Sequence, residues 1–177
     1  MSRVWSVPSG RCYGGVGRVD ITPPADAYHR NWGAALHDAA EGIHRPLSAA
    51  ALVVAAGSNS VPHVLLTLDL GWLRTREMGQ LLAAIAELTG LDKDRVVITF
   101  SHTHAAINLD VERVGEPGGQ HIIPYLEALP EKLAAAIAAA IAAQQELSFS
   151  AARGRCTLAW QRDFWDAENN LYACGPN

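Results

Sequence analysis

The residues best suited to chemistry are His102 and His104 in the run Ser101-His102-Thr103-His104, set immediately after the apolar segment Arg95-Val96-Val97-Ile98-Thr99-Phe100. Imidazole is the commonest protein ligand for metals and an able proton carrier at neutral pH. In an extended segment side chains alternate, so two histidines two apart are expected to point to one side and reach one metal ion or one substrate. The ends of strands in α/β sheets are also where sites gather. From spacing alone, an ordinary polar loop explains the pair equally well.

Families that carry His-x-His differ in the residues that come after the pair. A metallo-β-lactamase pattern would need Asp two residues after the pair and His directly after that, where this chain has Ala106 and Ile107, so that chemistry is excluded. A barrel amidohydrolase opens in the same way but draws further His, Lys and Asp from later strands, more than 177 residues supply. It stands as an alternative metal hydrolase, beside a non-catalytic α/β fragment that exposes apolar surface.

Three segments are expected to position the pair. Leu47–Ala56 and His63–Leu70 are apolar and partly β-branched, and the turn-forming Gly57-Ser58-Asn59-Ser60 between them predicts a hairpin. Their unbroken apolarity predicts burial on both faces. Residues 74–89 space Met78, Leu81, Leu82, Ile85 and Leu88 as a helix does, with Gly90 placed as a C-cap. Strand, helix and strand in that order imply a crossover within one sheet with helices on its face. The fold class is therefore α/β, with a mixed, largely buried sheet and helices packed on it.

Elsewhere the signals are plainer. Arg18–Thr22 is a short strand stopped by Pro23-Pro24, after a glycine-rich approach at residues 14–17. Residues 25–45 have no sustained period and hold His29, His37 and His44, as a loop over a site would. Residues 122–146 predict one helix bent at Pro130 or two in series. Ser148–Ala159 is a last strand candidate, and residues 160–177 read as loop. Cys12, Cys156 and Cys174 match no zinc or redox spacing and are expected to be buried free thiols.

Composition narrows the partners. A hydrophobic share of 49%, with 18% charged residues, belongs to globular rather than disordered chains. A net charge of -4, with 14 scattered Lys and Arg, provides no basic surface for nucleic acid. No apolar run reaches the ~20 residues of a membrane-crossing helix. Peripheral membrane contact stays compatible. Residues 1–8 carry no apolar leader core, so a cytoplasmic location is expected.

Five segments, taken in order, resemble the N-terminal region of neutral ceramidases: Gly17-Arg18-Val19-Asp20-Ile21-Thr22-Pro23, Gly42-Ile43-His44-Arg45, Thr67-Leu68-Asp69-Leu70-Gly71, Ser101-His102-Thr103-His104 and Gln161-Arg162-Asp163. The resemblance implies a zinc-dependent hydrolase of an N-acyl amide bond, acting on a ceramide-like lipid amide or a related small amide. It implies that His102 binds zinc, that His104 faces the substrate and its developing oxyanion, and that Arg162 contacts substrate near the scissile amide. It also implies that the remaining ligands, a His, a Glu and a Tyr, lie beyond Asn177. Residues 1–177 then form the N-terminal portion of a catalytic domain, incomplete relative to the full family domain and inactive alone. His29, His37, His44 and Asp69 are local substitutes as ligands, but read more simply as loop donors or strand-end residues. Two departures stand out: Ala105-Ala106-Ile107-Asn108-Leu109 replaces the family's Ser-Gly-Pro-Gly-Gly, which predicts a different pocket wall, and Gln161 replaces an Asn.

Overall fold

The computed structural model describes residues 9–33, 35–158 and 161–174. Gly10–Phe149 forms one compact unit, and Met1–Ser9 with Ser150–Asn177 forms a second.

The larger unit is α/β. Its strands β1 (Ser9–Asp20), β2 (Ser48–Ala55), β3 (His63–Leu68), β4 (Val96–Phe100) and β5 (Gln145–Ser150) form one sheet in the order β4-β3-β2-β1-β5. The pairs β1/β2 and β2/β3 are antiparallel, whereas β3/β4 is parallel, so the sheet is mixed. The parallel pair requires the crossover supplied by α1 (Thr75–Thr89), which ends on Gly90 in the left-handed conformation at φ 69°. The hairpin, the crossover helix and its glycine stop all fall where the sequence predicts.

Helix α2 (Ile122–Ala142) runs unbroken through Pro130, and the chain turns into β5 at Gln145 rather than remaining helical to Glu146. Its stripe of Leu129, Leu133, Ala136, Ile137 and Ala140 joins Leu81 and Ile85 of α1. Both helices thereby cover the sheet face formed by Ala49, Ala51, Val53, Val64, Leu66 and Leu68.

Strand β1 is longer than the sequence suggests, because its glycines lie within it rather than before it. A Cβ at Gly15 would stand 2.2 Å from the Ala140 carbonyl oxygen, and one at Gly17 would stand 2.1 Å from that of Ala136. Helix α2 therefore rests directly on the β1 backbone, the close approach for which a strand uses glycine. Lys132 Nζ donates to Asp20 O at 3.1 Å and the Tyr125 hydroxyl donates to Ile21 O at 2.5 Å, tying the helix to the end of the strand.

The second sheet face departs from the expected two-sided burial. Val16, Leu52, Leu65 and Val97 are register partners across four strands, yet they are 54%, 36%, 40% and 56% exposed. Unbroken apolarity in β2 and β3 was the signal for two covered faces; the helices, both on one side, cover only one.

The smaller unit holds a hairpin of β6 (Asp163–Asp166) and β7 (Leu171–Cys174), where the sequence suggested only loop. Asn170 takes the turn at φ 54°, a conformation asparagine tolerates, and Trp165 meets Tyr172 edge-on at 5.3 Å. Cys156 and Cys174 are exposed and Cys12 is half-buried, all unpaired, so the expectation of buried thiols is not met. Residues 1–8, 159–160 and 175–177, on which the leader reading and parts of the last strand and final loop readings fall, lie outside the described residues. Among the described residues, no helix is long and apolar enough to cross a membrane.

The tight helix–strand contact sets a direct test. Gly17→Ala must displace α2 and is expected to cost about 1–3 kcal/mol in urea unfolding. Gly79→Ala, on the exposed side of α1 with nothing within 4 Å, is expected to add about 1 kcal/mol.

Candidate metal and substrate site

Both strands of the parallel pair stop together, at Leu68 and Phe100, and the Ser101 N–H donates to Leu68 O at 2.9 Å. The segments leaving them are thus side by side, and His102 lies opposite Gly71. His102 Nδ1 donates to the Gly71 carbonyl oxygen at 2.9 Å. A carbonyl oxygen only accepts, so the bond places the proton on Nδ1 and leaves the Nε2 lone pair free in the neutral ring. A carbonyl partner on the far nitrogen is the arrangement that orients metal-binding histidines.

The backbone at His102 is left-handed, with φ 57°. For a residue other than glycine this costs about 1–3 kcal/mol and clusters at functional sites. It also replaces the reasoning from strand alternation: the segment is not extended at His102, and the two rings meet because the chain kinks. Their centroids are 5.2 Å apart in an edge-on arrangement, and both residues are exposed. Trp32 packs edge-on against His104 at 5.8 Å, a neighbour that the sequence did not single out.

Beyond the two histidines the segment turns inward. Ala106, Ile107, Asn108, Leu109 and Asp110 are all buried. Asn31 Nδ2 donates to Ala106 O at 2.7 Å, Asn108 Nδ2 to Arg30 O at 2.9 Å, and the Asn108 N–H to Tyr28 O at 2.8 Å. Two amide side chains therefore stitch the 28–31 loop to the histidine segment. Arg74, at the start of α1, donates to Asp110 Oδ2 at 2.8 Å and to Glu112 Oε2 at 3.1 Å. The Arg74 hydrogen bond holds the Asp110 carboxyl below its ordinary range, against the opposing effect of burial, with help from the Glu112 N–H.

The 22–29 and 40–47 segments close a cleft of about 510 Å³ against residues 104–107. Its lining is mostly apolar, from Pro23, Pro24, Ala27, Leu47, Ala105 and Ile107, with Thr22, His29, His44, Arg45 and His104 as the polar groups. The Ala-Ala-Ile run that departs from the family pattern contributes part of this wall, through Ala105, Ala106 and Ile107. His29 Nδ1 is buried without a hydrogen-bond partner, and its ring lies 5.9 Å from that of His37.

The remaining candidates separate. Asp69 is engaged at the sheet end, where its Oδ2 accepts from the Ser48 N–H and hydroxyl, both at 3.0 Å. Among the described residues, no three His, Cys, Asp or Glu side chains gather as a metal site. Arg162 belongs to the smaller unit, directly before β6. As a donor set, His102 fits one position of a zinc site, since its free Nε2 and fixed ring are what a single imidazole ligand requires.

This mixed α/β unit, with its two histidines after the end of β4, shares the fold of a part of solved ceramidase structures. A ceramidase complexed with C2 superposes with a TM-score of 0.61 at 20% identity, over 79% of this chain and 22% of that one. The neutral ceramidase of Pseudomonas aeruginosa gives 0.58 at 20% identity, over 80% of this chain and 22% of that one. At this identity the likeness is one of fold, and the chain spans about a fifth of the length of those proteins. No protein-family model and no curated protein matches the sequence.

Two measurements test the site's geometry. Long-range ¹H–¹⁵N spectra of the neutral protein are expected to show His102 as the Nδ1-protonated tautomer; an Nε2–H signal would break the Gly71 assignment. Asp110 has a depressed pKa, so its ion pair stabilises fully above the unfolded carboxylate value of ~3.9 and is lost as pH falls through the folded value. Asp110→Asn is therefore expected to melt below wild type at pH 7, with the difference vanishing in strong acid, as followed by circular dichroism.

Proposed function

We propose that this chain carries one wall of a zinc-dependent amide hydrolase site of the neutral ceramidase type. His102 is read as a zinc ligand through Nε2, and His104 as the group facing the substrate. The observation that carries the reading is the His102 ring, fixed by Gly71 on a left-handed backbone at the end of a parallel strand. The fold shared with ceramidase structures supports the class of reaction.

Bound zinc would supply Lewis acidity that polarises an amide carbonyl and acidifies water. The chain's own residues do the rest. His104, which packs against Trp32 and lines the cleft, would donate to an oxygen on which negative charge develops. The mostly apolar cleft beside it suits an acyl or alkyl group. Arg162 is proposed, from the resemblance alone, as a further substrate contact.

Catalytic zinc uses about three protein ligands. We read the other ligands as coming from polypeptide outside the described residues, because those residues gather no such set. The isolated 177-residue chain is accordingly expected to hydrolyse no amide.

Zinc uptake tests this reading. In a longer protein containing this sequence, about one zinc per chain is expected, lost with N-acyl hydrolysis in His102→Ala. The isolated chain is expected to hold zinc weakly, through His102. Tight zinc in the isolated chain that survives His102→Ala, or hydrolysis indifferent to that change, would overturn it.

A further inference from the structure

The sheet face turned away from the helices is apolar across its whole width. Val16, Leu52, Leu65 and Val97 form one register row over β1, β2, β3 and β4, and all four are exposed. The face continues onto β5, because a Cβ on Gly14, two residues before Val16, would meet the Leu147 side chain at 2.9 Å. Phe149, two residues beyond Leu147 and so on the same side, is 53% exposed. Monomeric proteins rarely leave so continuous an apolar face in water.

The polar groups beside that row are ready for burial. Thr67 and Thr99 are partners in the next row, where the Thr99 hydroxyl donates to Leu66 O at 3.1 Å and the two hydroxyls lie 3.1 Å apart. Hydroxyls already bonded to each other and to the backbone lose no partner when water leaves. The fixed charge in these two rows is Arg18 of β1, opposite Ala50.

The row reads Val-Leu-Leu-Val in either direction, which makes the face complementary to itself. A twofold axis along the strands, midway between β2 and β3, lays Val16 of one copy on Val97 of the other and Leu52 on Leu65. In the next row it lays Arg18 over Thr99 and Ala50 over Thr67, so no two cations meet. Four strands ~4.8 Å apart, each with about six residues of ~3.4 Å, overlap over roughly 400 Å² in projection. Side-chain relief and the overhanging Leu147 and Phe149 bring the surface removed from both copies to about 1,000 Å², where specific interfaces begin.

We propose that this face is an interface with a second copy of the same chain, packed sheet against sheet about a twofold axis between β2 and β3. Each copy keeps α1 and α2 on the outside, so both faces of both sheets are covered. The proposal makes no use of the histidine site and holds with or without zinc.

Sedimentation equilibrium of the 177-residue protein tests it. A single dimer is expected, with a dissociation constant of about 10–100 μM and no larger species. At concentrations that populate the dimer, a methyl NOE between Val16 and Val97 is expected; within one copy three strand spacings, about 14 Å, keep them too far apart for one. Leu52→Thr combined with Leu65→Thr keeps β-branched residues on the strands and is expected to weaken the dimer at least about a hundredfold, since each change counts twice in a twofold interface. Leu88→Gln, exposed on α1, is expected to leave it unchanged. Open-ended growth, or a dimer without the Val16–Val97 contact, would overturn the proposal. So would a monomeric 177-residue chain whose face becomes protected from amide exchange only in a longer protein, which would assign the face to that protein's own polypeptide.

Discussion

Everything at the candidate site depends on the parallel pairing of β3 with β4. Parallel strands run in one direction, so their ends lie together, and the segments leaving Leu68 and Phe100 start as neighbours. The Ser101 N–H to Leu68 bond carries the pairing one residue past the strand. Beyond it the ladder stops and backbone carbonyls are left without strand partners. Gly71 offers one such carbonyl, and His102 takes it. An antiparallel arrangement of the same two strands would have put these segments at opposite edges of the sheet.

The support behind the site divides into a rigid base and an open rim. Below, the buried run from Ala106 to Asp110 is tied by Asn31, Asn108 and Arg74 to two other loops. Side-chain amides suit this task because each reaches a backbone carbonyl that irregular chain cannot satisfy in a ladder. Above, His102 and His104 remain exposed. The rings are therefore positioned from beneath, while the nitrogens that would meet a ligand stay accessible.

Much of the scaffold was legible in the sequence. The β2/β3 hairpin, α1 with its Gly90 cap and β4 followed from periodicity and turn residues, since in each of them local preference and packing agree. Gly14, Gly15 and Gly17 read as loop in the sequence, which shortens β1; the role of Gly15 and Gly17 depends on α2, which lies more than a hundred residues later in the chain. The apolar second face misled for a related reason, as composition reveals the preference of a face but not what lies over it. The histidine pair was found, though through alternation that the left-handed His102 backbone does not obey. Trp32 and Asn31 lie in the loop read as covering a site and Gly71 in a segment of the family resemblance, but their roles leave no spacing to read, because they act through ring packing, a side-chain amide and a main-chain carbonyl.

The kink at His102 has a further effect, on the border of the sheet. β4 is an outer strand, and its unpaired side displays backbone groups that could recruit a foreign strand. A residue turned to φ 57° cannot continue a pleated ladder, so the open border ends at Phe100, after only five residues. The conformation that aims an imidazole thus also limits how far the open border can extend, and the backbone strain at one position serves both ends.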